Sequence, residues 1–404
     1  MNSSINSSGN AFFSDAFLVE HCDSILDFYT SRVVDNSGGY HQNYYDDGTV
    51  FDSDFKQLVS STRIVVNYAT AAMIYDNANY LEIARHGLAF IEQTHWQPET
   101  STYAWTLRNN QPEDMTQQAY GYAFVLLAYA AARKAGIVTT NEPLLKVYEL
   151  LEARFWQNDF GLYADEISPE GKLSDYRGQN SNMHLCEAML AAYEASSEPL
   201  FLQRAEQLAE NIAFRQAKLT DNLIWEHYQS DFQPDWDYNR DDPKNLYRPW
   251  GFQPGHQTEW TKLLLILHRH SPNQKWVDQA KHLFDAAYKT AWDEECGGLI
   301  YGFDPEGKWC DDDKYFWVQA ESFAAAAMLY DVTGDEIYRE YYNALWQYSW
   351  DHFVDHDHGA WYRVLRRNNE KMSNEKSAAG AKCDYHTLGA CYEVLRVLKH
   401  PKLV

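Results

Sequence analysis

The sequence predicts an all-α fold, an (α/α)6 barrel in which six helical hairpins form a closed ring with short β-hairpins at one end. Three observations predict it. A turn element rich in aromatic, Gly and Asp residues recurs six times along the 404 residues. Between its copies lie Ala- and Leu-rich stretches of helical period that are apolar nearly all round. More amphipathic helical stretches lie beside them, so each unit supplies one inner helix, one outer helix and one hairpin.

The turn element is clearest in "DFGLYADEISPEGK", which starts at Asp159, and in "ECGGLIYGFDPEGK", which starts at Glu295. Each copy has the pattern of a short strand, a turn of Gly, Asp or Asn, and a second strand, which is typical of a hairpin. Successive copies are 64, 58, 64, 73 and 61 residues apart, measured between the markers Gly39, Tyr103, Gly161, Trp225, Gly298 and Gly359. The repeat therefore fills the chain with six units of similar length.

The expected inner helices are "TRIVVNYATAAMIYD", "QAYGYAFVLLAYAAARKAG", "NMHLCEAMLAAYEAS", "HQTEWTKLLLILHRH", "QAESFAAAAMLYDVTG" and "YHTLGACYEVLRVLKH". The stretches "FLQRAEQLAENIAFRQ" and "EPLLKVYELLEARFW" are typical of the outer layer. An open solenoid is the alternative architecture, but a linear array needs capping repeats and has no reason to stop at six. The chain shows no Pro/Ser-rich linker, so we expect one domain over residues 1–404.

Charge and composition narrow the class of partner. The formal net charge of −24 would repel phosphate backbones and anionic lipids, which argues against nucleic acid and membrane surfaces as partners. Aromatic residues make up 15% of the chain, with 14 Trp and 29 Tyr. That content suits a cleft that stacks on sugar rings, although aromatic residues also fill helical cores.

The N-terminal stretch "MNSSINSSGNAFFSDAF" lacks the basic and apolar regions of a signal peptide, and no later window approaches 18 uninterrupted apolar residues. We therefore expect a cytoplasmic protein. The six cysteines are scattered without C-x-x-C spacing, which predicts reduced, structural thiols.

Polar residues at the starts of the inner helices are the candidates for a functional site, because this end of each helix opens on the cleft. Three of the six expected inner helices begin with a histidine at a comparable place in the repeat. The candidates are Arg63 with Asn67 one turn later, His184 with Glu187, His256 with Glu259, and His386 after Lys382 and Asp384. A single histidine at a helix start is more often a capping or surface residue, but three at equivalent positions favour function.

A metal site is the competing interpretation, since His and carboxylate are ordinary ligands and facing helices build di-iron centres. The inner helices offer few carboxylates for such a centre, and Arg63 would repel a cation beside it. Nucleotide, phosphate-loop and serine-hydrolase motifs are lacking as well, so no cofactor and no metal are expected.

The helix dipole predicts the protonation state of two of the histidines. In the first turn of a helix the positive end of the dipole disfavours imidazolium, which lowers the pKa of His256 and His386 and leaves them as neutral bases. Glu259 and Asp384 are the carboxylates nearest to them in sequence, and we expect these to orient the rings. The pattern indicates a proton-transfer site without a nucleophile.

The segments "RGQNSNMHLCEA", "FQPGHQTEW" and "DYHTLGACYEV", in this order on an α/α barrel, resemble the N-acylglucosamine 2-epimerase superfamily. Within it, they are similar to the branch of D-mannose isomerase and sulfoquinovose isomerase. The resemblance runs from about Arg63 to His386. It implies an enzyme that interconverts aldoses and ketoses, or 2-epimers, on a monosaccharide and without metal or nucleotide.

The resemblance also implies roles for individual residues. His386 would move the C2 proton of the open-chain sugar to C1, and His256, supported by Glu259, would open the ring. Arg63 and His184 would hold the oxygens on which charge develops. The pocket would further be lined by Tyr120, Asn180, Asn182, Trp317 as a stacking wall, and Glu321, with Asn67 and Asp384 nearby.

Several functions remain open at this point. The strong acidity of the chain favours neutral mannose or lyxose, giving fructose or xylulose, over a sulfosugar. A mannose 2-epimerase that yields glucose needs bases on both faces of the enediolate and stays an alternative. A glycoside hydrolase would need two carboxylates flanking the bond. A non-catalytic sugar-binding protein would not need the histidines.

Overall fold

The computed structural model describes residues 11–403. The first ten residues of the N-terminal stretch, and with them part of the region examined for a signal peptide, lie outside the described residues. Within residues 11–403 the chain forms twelve α-helices: α1 Asp15–Thr30, α2 Leu58–Tyr75, α3 Ala78–Phe90, α4 Ala119–Lys134, α5 Glu142–Arg154, α6 Gln179–Ser196, α7 Pro199–Ala209, α8 Pro254–His270, α9 Gln274–Ala291, α10 Phe316–Thr333, α11 Glu336–His352 and α12 Tyr385–Val397.

Short strands and irregular helical turns fill the connections. The π-helices are Ile91–His95 and Glu210–Gln216, followed by a 3₁₀ turn at Ala217–Leu219. The strands are β1 Asn43–Tyr45, β2 Val50–Asp52, β3 Phe55–Gln57, β4 Trp96–Gln97, β5 Thr102–Tyr103, β6 Thr106–Arg108, β7 Gln111–Asp114, β8 Gln117–Gln118, β9 Trp156–Gln157, β10 Leu162–Tyr163, β11 Glu166–Ile167, β12 Arg177–Gly178, β13 His227–Tyr228, β14 Gly302–Phe303, β15 Trp309–Asp311, β16 Lys314–Tyr315, β17 Val364–Leu365 and β18 Glu375–Ser377.

The helices form a closed double ring. The inner helices α2, α4, α6, α8, α10 and α12 contact one another in this order, and α12 returns to contact α2. Helices α3, α5, α7, α9 and α11 pack outside the inner helix that precedes them, while α1 packs outside α12. The predicted (α/α)6 barrel is confirmed, and the open solenoid is wrong because the last inner helix meets the first.

The strands differ from the prediction of self-contained hairpins. Local pairs exist, such as β4 with β5 and β9 with β10, but the strand before each inner helix pairs with a strand of another unit. These pairs are β3–β6, β8–β11, β12–β13, the bridge between Phe252 and Phe303, β16–β17 and β18–β1. The last pair joins the end of the chain to its beginning. Backbone pairing therefore ties together the rim where the inner helices begin.

Capping distinguishes the two layers. Four outer helices begin after a side chain that accepts a backbone N–H bond: Ser14, Asn77, Asn273 and Asp335. In the described chain the inner helices have no such side-chain cap. Their unpaired N–H groups and positive dipole ends converge on one end of the barrel.

The outer layer shows one departure from regular helix. The amphipathic stretch that begins at Phe201 was expected to be one helix, but α7 ends at Ala209 and continues as the π-helix Glu210–Gln216. All six cysteines are free thiols, as predicted. Among the helices of residues 11–403, each falls short of the length or the apolarity that crossing a bilayer requires.

Candidate active site

A cavity of about 730 Å³ opens at the end of the barrel where the inner helices begin. Each of the six inner helices contributes a side chain from its first two turns. The polar and aromatic residues that line its base include Arg63, Tyr120, Asn180, His184, His256, Glu259, Trp317 and His386. Arg63, Glu259 and the three helix-start histidines thus meet in one place.

The start of α8 explains the Pro-Gly-His sequence. Pro254 occupies the first turn of the helix, where a residue without an N–H is tolerated. A Cβ on Gly255 would lie 2.5 Å from Cζ3 of Trp317, so only glycine lets that indole ring pack on the helix start. The Trp317 ring lies 5.0 Å from the His256 ring and 5.7 Å from the His386 ring, measured between centroids. Trp317 is therefore the wall between the two histidines.

His256 pairs with a carboxylate that the sequence does not indicate. Its Nδ1 lies 2.9 Å from Oε2 of Glu226, which also accepts a hydrogen bond from Gln179. The expected partner, Glu259, makes no hydrogen bond to it. Side chains of a helix point toward its N-terminus, so a first-turn residue reaches beyond the helix and away from the next turn. The prediction that Glu259 orients His256 is wrong.

His386 likewise uses a carboxylate from another helix. Its Nδ1 lies 2.7 Å from Oε1 of Glu321 on α10, and its Nε2 lies 3.3 Å from Nη2 of Arg63 on α2. Burial, and then the positive charge of Arg63, lower the pKa of His386 well below its usual value. The sequence predicts this direction from the helix dipole, whereas burial is the largest cause.

Asp384 does not orient His386, contrary to the prediction. It stands just before α12 with φ of +53°, a left-handed conformation that Asp tolerates better than most residues. Its carboxylate accepts hydrogen bonds from Tyr29 at 2.6 Å and Thr387 at 2.9 Å, and it pairs with Lys382. Asp384 therefore fixes the turn that starts the helix, and its carboxylate is fully buried away from the cavity.

His184 lies in the second turn of α6, because the helix begins at Gln179, five residues before it. Its Nδ1 is 2.9 Å from Oε2 of Glu187, and its ring packs edge-on against Tyr120 with centroids 5.1 Å apart. Burial lowers the pKa of His184 and outweighs the opposing effect of Glu187. The imidazole is thus held neutral at the cavity wall.

Arg63 is held by aromatic residues on the same side of the cavity as His184, since Phe124 and Tyr120 contact both. Its guanidinium lies 4.3 Å from the ring centroid of Phe124 and 5.0 Å from that of Tyr385, distances at which cation–π attraction is effective. It also donates to the Tyr120 hydroxyl at 2.9 Å. Its Nε is buried without a hydrogen-bond partner. The Arg63 guanidinium is therefore held in place, and its Nε–H remains available as a hydrogen-bond donor.

Glu259 stands in the cavity without a partner. Both of its carboxyl oxygens are buried and make no hydrogen bond within the described chain, and Nδ1 of His184 is 3.8 Å away. Burial, followed by the charge of Glu321, raises the pKa of Glu259 well above its usual value. Both oxygens of Glu259 therefore remain available for contacts with a bound substrate.

The remaining predicted pocket residues divide into two groups. Tyr120, Asn180 and Trp317 line the cavity, and Oδ1 of Asn180 is buried without a partner. Four others do not reach it, because their side chains bond to other groups of the protein: Asn182 to the backbone of Tyr163, Asn67 to the Cys383 carbonyl, Glu321 to His386 and Lys262, and Asp384 to its own turn.

Two groups at the base have the composition of a metal site: His184, Glu187 and Glu259, and Glu259, Glu321 and His386, with ligand atoms within 4.8 Å of one another. Lys262, however, lies 2.6 Å from Glu321 and 3.9 Å from Glu187, and Arg63 stands beside His386. Two fixed cations make this a poor site for a third. A further group, Asp311, Asp312 and Asp313, already binds Lys244.

Sequence patterns missed Glu226 and Lys262. Glu226 lies within the fourth turn element, whose residues give no helical register from which its direction could be read. Lys262 had a visible signal, because His256, Glu259 and Lys262 follow one another at intervals of three along α8.

Comparison with known proteins places this geometry in a family. The model of the N-acylglucosamine 2-epimerase (GlcNAc 2-epimerase) family matches residues 38–390. The chain is 51% identical to D-mannose isomerase of Marinomonas mediterranea over 390 residues, 96% of this chain and 98% of that protein. It is 34% identical to D-mannose isomerase of Pseudomonas cannabina pv. alisalensis over 63% of each chain. A crystal structure of D-mannose isomerase, 51% identical, superposes with a TM-score of 0.94 over 96% of this chain and 99% of that chain.

Proposed function

Because this chain belongs to the N-acylglucosamine 2-epimerase family, we propose that it is an aldose–ketose isomerase that interconverts D-mannose and D-fructose, with its active site in the cavity described above. The identity of 51% with D-mannose isomerase over 96% of the chain carries the proposal. The whole chain acts as one catalytic domain. D-Lyxose, which has the same configuration at C2, is expected as a second substrate that gives D-xylulose.

The proposed reaction moves one proton along the sugar. After the ring opens, the C1 carbonyl acidifies the proton on C2, and Nε2 of His386 removes it to leave an enediolate. The same group then returns the proton to C1, while a proton passes from O2 to O1 and the ketose forms. His386 suits this role because its low pKa keeps it unprotonated and its Nδ1 is occupied by Glu321.

His256 is proposed to open the ring. It must take the proton of the O1 hydroxyl and supply one to the ring oxygen, and its Nδ1 contact with Glu226 leaves Nε2 for the sugar. Trp317 packs against both histidines and offers the flat apolar face on which a sugar stacks. The two histidines therefore share one substrate.

Negative charge on O1 and O2 of the enediolate needs donors that are already in place. Arg63 supplies one from α2, where its Nε is buried without another partner. His184 and Glu259 contact the sugar oxygens from α6 and α8, and Nε2 of His184 is an acceptor there because Nδ1 faces the Glu187 carboxylate. Fixed donors in a buried site are worth more than in water, because they do not have to reorganise as the charge develops. With these groups and Lys262 present, no metal ion is required, and we propose a metal-independent reaction.

Charge at the cavity favours a neutral sugar over a sulfosugar. The two arginines nearer the cavity mouth are already paired, Arg248 with Glu166 at 3.1 Å and Arg363 with Glu375 at 3.2 Å. A sulfonate would have to displace one of these carboxylates.

Glycoside hydrolysis is disfavoured for a related reason. Two carboxyl groups besides Glu259 line the cavity, and both are engaged: Asp165 with Ser181 at 2.6 Å and Glu226 with His256. Hydrolysis needs an acid and a second carboxylate that are both free to reach the bond. The 2-epimerase stays the second candidate, since two histidines are available to a single substrate.

The test is a product analysis. Purified protein is incubated with D-mannose, D-lyxose or D-glucose, and the products are followed by NMR. We expect D-fructose from D-mannose and D-xylulose from D-lyxose. D-Glucose as the main early product from D-mannose would assign the 2-epimerase instead, and no reaction with any of the three would refute the isomerase.

A further inference from the structure

A buried lysine that the proposed reaction does not use lies beneath the active site. Lys262, on α8, is only 5% exposed and reaches into the centre of the barrel. Its Nζ lies 2.6 Å from Oε2 of Glu321 and 3.9 Å from Oε1 of Glu187. Burial alone would lower its pKa, but Glu321, Glu187 and Glu259 outweigh burial and raise it, so the ammonium keeps its charge.

Glu321 connects this lysine to His386. One carboxylate oxygen, Oε2, faces Lys262, and the other, Oε1, lies 2.7 Å from Nδ1 of His386. An ionised carboxylate only accepts hydrogen bonds, so Nδ1 must then be the nitrogen that carries the proton. The other ring nitrogen agrees, because Arg63 is a pure donor and Nε2 facing it at 3.3 Å must be an acceptor. Both contacts select the Nδ1–H tautomer.

Removal of the lysine charge would reverse this selection. Burial raises the pKa of Glu321, and Lys262 is the nearest positive charge that opposes the rise. A buried carboxyl group without a counterion binds a proton. Protonated Glu321 would donate to Nδ1 of His386, and the ring would carry its proton on Nε2. In that tautomer no lone pair faces the cavity.

We propose that Lys262 is a positioning residue that keeps Glu321 ionised and thereby fixes His386 in the Nδ1–H tautomer, with Nε2 free as the base. The assignment of His386 as the base rests on the proposed function. The tautomer of His386 does not depend on that function, because it follows from the contacts of the ring. The other titratable groups that face this pair come from three inner helices and the start of α12: Arg63, His184, Glu187, Glu259 and Tyr385. Arg63 is the one fixed cation in this list, and it contacts Nε2, on the side of the His386 ring away from Glu321. Lys262 is therefore the cation that faces the Glu321 carboxylate.

The experiment compares wild type with Lys262→Met, which keeps the length of the side chain and removes its charge. ¹⁵N NMR of protein labelled at histidine, with His386 assigned by its absence in His386→Asn, reports which ring nitrogen is protonated. We expect Nδ1–H in wild type and Nε2–H in Lys262→Met at pH 7. An Nε2–H signal in wild type would overturn the proposal without any activity measurement.

The pH profile of kcat/KM for D-mannose gives a second readout. Lys262→Met is expected to lose on the order of 10²-fold at pH 7, within the range for loss of a positioned base. Its acid limb should move to higher pH, because activity returns only as Glu321 ionises. A purely structural role would lower activity at every pH by the same factor, with the tautomer unchanged, and would overturn the proposal.

Two variants serve as controls. Lys134→Met removes a lysine at the opposite end of the inner ring, where it pairs with Glu194, and should leave the tautomer and the pH limb as in wild type. Glu321→Gln removes the carboxylate on which Lys262 acts, so adding Lys262→Met to it should produce no further displacement of the acid limb. An additive displacement would show that Lys262 acts by another route. If Lys262→Met does not fold, two other measurements decide. Wild type must show the Nδ1–H tautomer of His386, and Lys262→Arg should keep both that tautomer and the wild-type acid limb.

Discussion

His386 and Glu321, 65 positions apart in the chain, form a 2.7 Å hydrogen bond at the base of the cavity between Nδ1 and Oε1. The bond joins the last inner helix, α12, to the neighbouring inner helix α10. The opposite ring nitrogen faces Arg63 and the cavity. Because Arg63 belongs to the first inner helix, the contact of α12 with α2 that closes the ring also places the proposed base.

Loss of either cavity histidine should abolish turnover. His386→Ala and His256→Ala are each expected to lower kcat/KM for D-mannose by about 10²–10⁴-fold or more, because each removes a positioned acid/base group. Circular dichroism should show an unchanged helix content. Near-normal activity of His386→Ala would refute its assignment as the base.

Glu226 should matter for activity although it lies 30 positions from His256. Glu226→Gln replaces an acceptor-only group by an amide that can present N–H to Nδ1, and we expect kcat to fall at least tenfold because the tautomer of His256 is no longer fixed. Glu152→Gln, a carboxylate on the outer helix α5 bonded to Arg204, is the matched control and should keep wild-type kcat. Equal kcat in both variants would show that Glu226 does not orient His256.

Chelation should not affect the enzyme. Arg63 and Lys262 already supply two fixed positive charges at the base of the cavity, so prolonged dialysis against EDTA is expected to leave kcat and KM unchanged. The measurement is the rate of fructose formation before and after dialysis. Complete loss, restored by a divalent ion, would identify the carboxylate–histidine groups there as a metal site.

The pH profile should show an unusually acidic limb. Burial and Arg63 lower the pKa of His386, so the ring stays neutral at pH values at which a histidine in water, with a pKa of about 6.5, takes up a proton. We expect kcat/KM to stay level as pH falls through 6.5 and to decline only below it. The free energy of unfolding should change in the same direction. It should fall as the pH drops below about 6.5, because the unfolded chain then binds a proton at His386 that the folded protein does not. An acid limb at or above 6.5 would contradict the lowered pKa.

A stability prediction concerns the other end of the barrel. Glu194 on α6 accepts from Lys134 at 2.7 Å, His270 at 3.0 Å and Arg396 at 3.1 Å, and so ties α6 to three other inner helices, α4, α8 and α12. Glu194→Gln removes the carboxylate that these three groups share, although Lys134 is exposed and Arg396 keeps Glu393, and is expected to lower the free energy of unfolding by up to about 3 kcal/mol. Chemical denaturation measures it, and the pH limb of activity should not move. Unchanged stability would mean that these cations are solvated well enough without Glu194.

The barrel could be predicted because its signals are local and repeated. Six apolar helices separated by six turn elements leave few arrangements, and the returning contact of α12 with α2 follows from the count of six. The histidines could be found because all three lie in the first two turns of inner helices, although His184 lies one turn later in its helix than His256 and His386. The pairing of strands between units could not, because a two- or three-residue strand carries no record of its partner.

The carboxylate partners were predicted wrongly for a physical reason. Nearness in sequence suggested Glu259 for His256 and Asp384 for His386, but side chains in the first turn of a helix point past its end. They meet residues of other elements, here Glu226 and Glu321. Which element lies there depends on the closed ring, and only the folded structure supplies it. Lys262 lies in the third turn of α8, beyond the helix start at which functional residues are expected.

The most direct test of the account follows a labelled proton. D-Mannose carrying deuterium at C2 is incubated with the enzyme in H₂O, and early product is analysed by NMR for its identity and for deuterium at C1. One base on one face of the enediolate predicts D-fructose with part of the deuterium transferred to C1, and no product from His386→Ala. D-Glucose as the main early product, with solvent hydrogen at C2, would require bases on both faces and contradict the isomerase.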